Sequence, residues 1–260
     1  MAEQSAIATP ARAEVLELDA GDLRDALRAG WRDFTAEPIY GAFFSLVYVI
    51  CGWVLVFAFT FKGQLWWTLP ASAGFPILGP FVACGYYEIS RRREAGEALL
   101  LGPILLAVAR QRDRQIPSMA AVIVIFFLFW NFLSHMIFAL FLGHSTLTNI
   151  SSSLAVFATA EGLAMLAFGT AVGAVFALVL FSLTVVSLPM LMDREVDFIT
   201  AMLTSLDLVR TNPGLMLVWG GLIAVSLFLA MLPLFFGLLV VLPVFGHASW
   251  HLYRRAVAWD

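Results

Sequence analysis

The sequence predicts an all-α fold: a polytopic bundle of six transmembrane helices carrying amphipathic helices on its cytoplasmic surface. Three observations lead there. Hydrophobic residues make up 61% of the chain and charged residues 13%, with mean hydropathy +0.90, whereas soluble domains hold roughly 45–50% and about 25%. The apolar residues fall in runs long enough to cross a bilayer. All basic residues except Lys62 lie before the first run, between alternate pairs of runs, or after the last. That is the positive-inside pattern, and it puts both termini in the cytoplasm.

Residues 1–21 have no basic region followed by an apolar stretch. They predict a disordered cytoplasmic N-terminus without a cleavable signal peptide. A first unit covers 22–95. In it Leu23, Leu27, Gly30, Trp31 and Phe34 share a helical face opposite Arg24, Arg28 and Arg32, the mark of a helix lying in the membrane surface. Spans 39–61 and 65–89 follow. The second is punctuated by Pro70, Pro76 and Pro80, which predicts a kink or a break, the latter being where transporters build binding sites.

A second unit, 96–192, has a weaker amphipathic segment and then a span at 118–142. The next apolar run, 151–192, is interrupted only by Glu161 and is too long for one span. It predicts a span near 166–190 with 152–165 as an interfacial or re-entrant lead-in. In the third unit, 193–260, Val196, Ile199, Leu203 and Leu206 form an apolar stripe beside a polar one of Asp193, Asp197, Thr200, Thr204, Asp207 and Thr211. The run 214–253 makes two spans turning near Pro233.

Pro38, Pro117 and Pro213 each open a span just after an amphipathic helix, where a proline suits the first turn. "DALRAGWRDFTAEP" aligns without gaps on "TAMLTSLDLVRTNP", and "PFVACGYYEISRR" on "PVFGHASWHLYRR". The chain therefore reads as three parallel repeats of surface helix, proline, span, span, forming one membrane domain over 22–257.

The repeat frames the candidate chemistry. His247 and His251 stand four apart, on one helical face. At the same offsets from an equivalent proline stand Cys84 and Glu88, and Asp193 and Asp197. If a pseudo-symmetry axis gathers the three ends, these six residues are a candidate metal cluster with Cys, His and carboxylate ligands. The plainer alternative is helix capping and packing at the polar ends. His135 in the third span and Glu161 are polar membrane candidates, for haem ligation, a proton relay, or interhelical bonding. Cys51 and Cys84 both lie in apolar runs, so no disulfide is expected. No metal or cofactor is otherwise predicted. Phosphate-cradling glycine loops, HExxH and GxSxG are absent, and the basic residues form no nucleic-acid patch.

"GWRDF…P", "AGFPILGPFVACGYYEISRRREAGE", "LPMLMDREVDFITAM" and "LPVFGHASWHLYRR" together resemble the domain-of-unknown-function 2189 family of bacterial integral membrane proteins, over most of 22–257. The resemblance implies a multi-pass protein of the bacterial inner membrane with no established activity. Some members are labelled subunit I of cytochrome c oxidase. The catalytic subunit of a haem–copper oxidase resembles a twelve-span bundle with six metal-binding histidines, and this chain has four histidines. The label therefore implies at most association with a terminal oxidase. The expected role is a non-enzymatic accessory or assembly partner of a membrane complex, such as a respiratory oxidase. Its partners would be the lipid bilayer and that complex, or a second copy of the chain. The alternatives are a small-molecule or ion transporter using the kinked second span, and a metal- or haem-binding membrane protein.

Overall fold

The structure, a computed structural model, describes residues 13–62, 68–143 and 157–259, and their side chains except those of 58–62 and 68–77. The elements follow in the order β1 (Ala13–Val15), α1 (Ala20–Ala36), α2 (Pro38–Lys62), α3 (Thr68–Glu94), α4 (Leu101–Arg110), α5 (Ile116–Leu142), α6 (Ala160–Thr184), α7 (Ser187–Asp193), α8 (Phe198–Thr211), α9 (Pro213–Met231), α10 (Leu238–Ala256) and β2 (Val257–Trp259). The fold is all-α apart from one antiparallel clip, in which β1 pairs with β2.

Six of these helices, α2, α3, α5, α6, α9 and α10, stand where the six spans are expected. Pro38–Phe57, Ile116–Leu142, Ala160–Asp193 and Pro213–Met231 are long and apolar enough to cross a membrane by themselves. The three corner prolines sit in the first turns of α2, α5 and α9.

Burial is uneven. At most 28% of any candidate span is buried, leaving large side chains such as Phe132, Leu140, Val175 and Phe228 exposed. The main buried cluster gathers at one end of the bundle. It joins Leu23 and Ala26 of α1, Cys84 and Tyr87 of α3, Met190–192 of α7, Leu208 of α8, and Trp250 and Tyr253 of α10. In this basal layer α1 packs along the end of α10, α4 against the end of α3, and α8 against α6 and α7.

Several expectations change. Residues 13–21 are ordered, because β1 pairs with β2 and the Asn212 amide clamps the segment, bonding the backbone of Leu16 and Leu18 at 3.1 and 2.8 Å. Helix α1 starts at a capping box between Asp19 and Asp22. Its buried face is Leu23, Ala26, Gly30 and Asp33, with Leu27 partly buried beside it, and Trp31 is exposed. Gly30 explains the choice: a Cβ there would lie 2.6 Å from the backbone of Val244 and Ala248. Small residues let α1 run close along α10. In α8 the buried face is likewise Ala201, Thr204, Ser205 and Leu208, leaving Ile199 and Leu203 exposed.

The fourth expected span begins earlier than 166. Thr159 caps α6, accepting from the Gly162 amide at 3.0 Å, so 160–165 is helix; residues 152–156 lie outside the described residues. Helix α3 runs through Pro70, Pro76 and Pro80 without a break.

The third hairpin is shorter than its neighbours. Its turn lies against the middle of α2: a Cβ on Gly52 would meet the Phe235 ring, and the Trp53 indole donates to the Leu234 carbonyl at 2.8 Å. From Trp53, α2 continues to Lys62, roughly 14 Å further at 1.5 Å per residue. On the other flank Gly220 faces Phe181. From that level α9 runs on to Met231 and α6 back to Ala160, so α6 overshoots by about 15 Å. The turn itself, residues 232–237, is wholly apolar apart from Gly237. Leu234 and Phe235 adopt left-handed backbone, and Leu232, Leu234 and Phe236 are exposed.

Candidate functional site

The apolar part of α10 ends near Phe245, and its polar end enters the basal layer between α1 and α3. Each turn of this end places one polar group on the same face, so His247 and His251 both point toward Asp33 and the last turns of α3.

Asp33 is the hub. One carboxylate oxygen, Oδ2, accepts from His251 Nε2 at 2.7 Å and from the Ser90 hydroxyl at 2.8 Å. The other accepts from Arg93 Nε at 3.0 Å. Glu94 Oε1 takes the remaining ring nitrogen of His251, Nδ1, at 3.2 Å. His251 thus bridges two carboxylates. Burial disfavours its charge, but the bonds to Asp33 and Glu94 outweigh this and raise its pKa above the ordinary value of 6.5. Burial also opposes the Asp33 carboxylate; His251 and Ser90 outweigh it and bring Asp33 down to about 2. Glu94 is lowered in the same way by His251.

His247 differs from its neighbour. Its Nδ1 sits 3.1 Å from the Tyr86 carbonyl and 2.9 Å from Ser90 Oγ. A carbonyl only accepts, so Nδ1 carries the proton. Ser90 then receives from His247 while donating to Asp33, and every bond in the chain is consistent. Burial is the dominant influence on His247 and pushes it down to about 4. The two histidines are therefore shifted in opposite directions, set by partners that differ.

The structure distributes the six candidate ligands among separate environments. His247 and His251 share the network just described. Cys84 is fully buried in the apolar core. Glu88, 2% exposed, is neutralised by Arg91 at 2.8 Å and Arg92 at 2.6 Å. Asp193 accepts from the Tyr253 hydroxyl at 2.8 Å, and that hydroxyl accepts from the Trp259 indole at 3.1 Å. Asp197 caps α8, receiving the Thr200 amide at 2.9 Å. Each ring nitrogen of His251 faces a carboxylate oxygen, of Asp33 or of Glu94. Among the described residues no group of three or more His, Cys, Asp or Glu is arranged to hold a metal ion.

His135 is exposed on α5 and bonds the Asn131 carbonyl at 2.7 Å. Glu161 is exposed in the first turn of α6. Trp130 packs on Gly173 and Ile137 on Gly169, which sets His135 level with about residue 170, roughly 14 Å along α6 from Glu161. The two are not brought together.

Asp33, Ser90, Arg93 and Glu94 were not foreseen from sequence. Asp33 was legible in one respect: it continues the small-residue face Leu23, Ala26, Gly30 at spacings of three and four. A carboxylate on a buried face requires a partner. Ser90, Arg93 and Glu94 lie 57 to 61 positions away in the chain, and nothing local connects them to Asp33.

Residues 68–193, from α3 through α7, match the model of the DUF2189 family, described as a predicted integral membrane protein. No curated protein and no solved structure matches the chain.

Proposed function

We propose, for a chain whose residues 68–193 belong to the DUF2189 family of predicted integral membrane proteins, a non-enzymatic accessory or assembly role beside a membrane complex. The observation that carries this reading is the division of labour in the fold. Among the described residues the buried charged groups gather in the basal layer, where Asp33, Glu88, His251 and Asp193 are each paired. The spans present wide apolar faces to their surroundings. A protein built to present surfaces within a membrane, with its buried charged groups locked in structural pairs, fits a partner-binding role. It fits less well with turnover, which needs groups free to change protonation or ligation.

The basal layer, rich in arginine, is on this reading cytoplasmic. The three helix–proline–hairpin units, α1–α3, α4–α7 and α8–α10, are parallel repeats of one plan. The third has a hairpin of half depth, turning inside the bilayer. An apolar turn suits that position, and the Trp53 indole satisfies a carbonyl that lipid would leave bare. The membrane complex is of the terminal-oxidase kind only on the strength of the label borne by some family members. The transporter alternative rests on Pro76, whose surroundings lie among side chains outside those described.

The test is solubilisation from native membranes in a mild detergent, followed by size analysis and mass spectrometry of what accompanies the chain. A stoichiometric membrane-protein partner or a defined homo-oligomer supports the proposal. A monodisperse monomer in every mild detergent overturns it.

A further inference from the structure

Beside the Asp33 network, on the other face of α3, lies an open groove of about 780 Å³. Its floor is the last turns of α3 with Glu88, Arg91 and Arg92, and one wall is α4 with Leu106 and Arg110. Gln111 and Arg114 close the end nearest α5.

Its depth follows from the α2–α3 pairing. Phe44 packs on Gly85, so antiparallel α3 passes the start of α2 at Pro38 near Arg91. The apolar segment of α2 begins at that level. The groove therefore opens where a bilayer changes from acyl chains to headgroups.

Its chemistry is lopsided. Four guanidiniums, Arg91, Arg92, Arg110 and Arg114, stand among three carboxylates. Glu88 and Glu97 hold Arg91 and Arg92, and Glu195 holds Arg114 at 3.1 Å. Arg110 has no ion pair among the described residues. Next to it, Gln111 is only 4% exposed, yet its side-chain oxygen has no hydrogen-bond partner. A buried acceptor without a partner is costly and marks a place where a polar group is missing. The amide's oxygen and nitrogen exchange by rotation, so it is able to offer N–H to an acceptor. Leu105 and Leu106 are exposed along the same helix, an apolar rail continuing from the charged end.

We propose that this groove binds the phosphate of an anionic phospholipid from the adjoining leaflet. Arg110 and the Gln111 amide hold the phosphate oxygens, and α4 guides the acyl chains. A guanidinium and a neutral donor are suited to a phosphodiester, and the leucine rail distinguishes a lipid from free phosphate.

The full chain in detergent tests this by thermal unfolding with added dioleoyl phosphatidylglycerol, dioleoyl phosphatidylcholine or inorganic phosphate. Phosphatidylglycerol is expected to raise Tm by about 5 °C at saturating excess, with little effect from the other two. R110A, a change at an exposed position, should lose at least half of that shift. R110A combined with Q111L, which also removes the Gln111 amide, should lose most of it. R112A, an equal loss of charge at an exposed neighbour, should keep it. The proposal fails if R110A retains the shift in full, if R112A loses it equally, or if phosphatidylcholine matches phosphatidylglycerol. A full shift with inorganic phosphate alone assigns the groove to a soluble anion and overturns the lipid as its ligand.

Discussion

At the residue scale, Asp33 accounts for the opposite behaviour of two histidines one helical turn apart. It supplies the anion that holds His251 charged, and through Ser90 it orients the neutral ring of His247. Replacing it with Asn leaves the geometry but removes the charge, so His251 and Arg93 lose their common anion. Breaking a buried pair in this way costs about 3 kcal/mol. D33N should therefore unfold well below wild type in a detergent thermal melt, and an unchanged Tm would show the network to be inert.

The same groups give a pH profile. His251 is raised above 6.5, so its contribution is complete below 6.5 and is lost as pH rises through its folded value. His247 is lowered to about 4, so the unfolded chain binds more protons between 6.5 and 4, and stability falls as pH drops through that window. Asp33 and Glu94 are lowered, adding a further loss as pH falls below about 4. Stability should peak near pH 6.5 and decline on both sides. H251Q should flatten the alkaline limb and weaken the loss below about pH 4, which depends on His251, while leaving the His247 part of the acid limb in place, as read from melts across pH 4–9.

At the scale of elements, the contact between α1 and α10 depends on side chains that are nearly absent. Alanine is favoured over glycine in a helix by about 1 kcal/mol. At Gly30, however, the new methyl would meet backbone atoms at 2.6 Å, and backbone cannot step aside. Overpacking of this kind costs about 1–3 kcal/mol. G30A should therefore destabilise by about 1–2 kcal/mol, whereas G221A on α9, with nothing within 4 Å, should be neutral or slightly stabilising. Equal effects of the two in equilibrium unfolding would refute the close-approach account. The amphipathic pattern of α1 is readable in the sequence, and Leu23 and Gly30 lie on the buried face it marks, but that face is turned toward Ala26 and Asp33 and away from Trp31. Hydrophobicity marks Trp31, while closeness of approach favours Ala26. Only the position of α10 decides between those criteria.

At the scale of the molecule, the two rulers along α2 and α6 agree that the α9–α10 turn stops about 15 Å short of its neighbours, half of a hydrocarbon core of about 30 Å. On the proposed topology, a cysteine at Leu234 in a chain with Cys51 and Cys84 replaced should resist membrane-impermeant maleimide from either side. A cysteine at Glu161 should react from the side opposite the termini. Labelling at 234 from that same side would show a full crossing, as the run of some 40 apolar residues by itself suggests.

What the sequence determined alone is the part governed by solvent. Apolar run lengths, arginine placement and prolines at helix starts mark the six helices and their corners, because transfer into lipid and proline's missing N–H act locally, whatever the rest of the chain does. The family resemblance likewise rested on contiguous motifs, and the family match covers 68–193. What only the tertiary structure decided is which polar groups meet. Asp33 and His251 are 218 positions apart, and the repeat alignment that paired His247 and His251 with Cys84 and Glu88 placed them by offset along the chain. The fold placed them by neighbour: Cys84 in an apolar core, Glu88 between two arginines, and the histidines on a carboxylate from a different helix. Charge pairing in a buried layer is set by distances of about 3 Å through space, and no spacing along the chain encodes those.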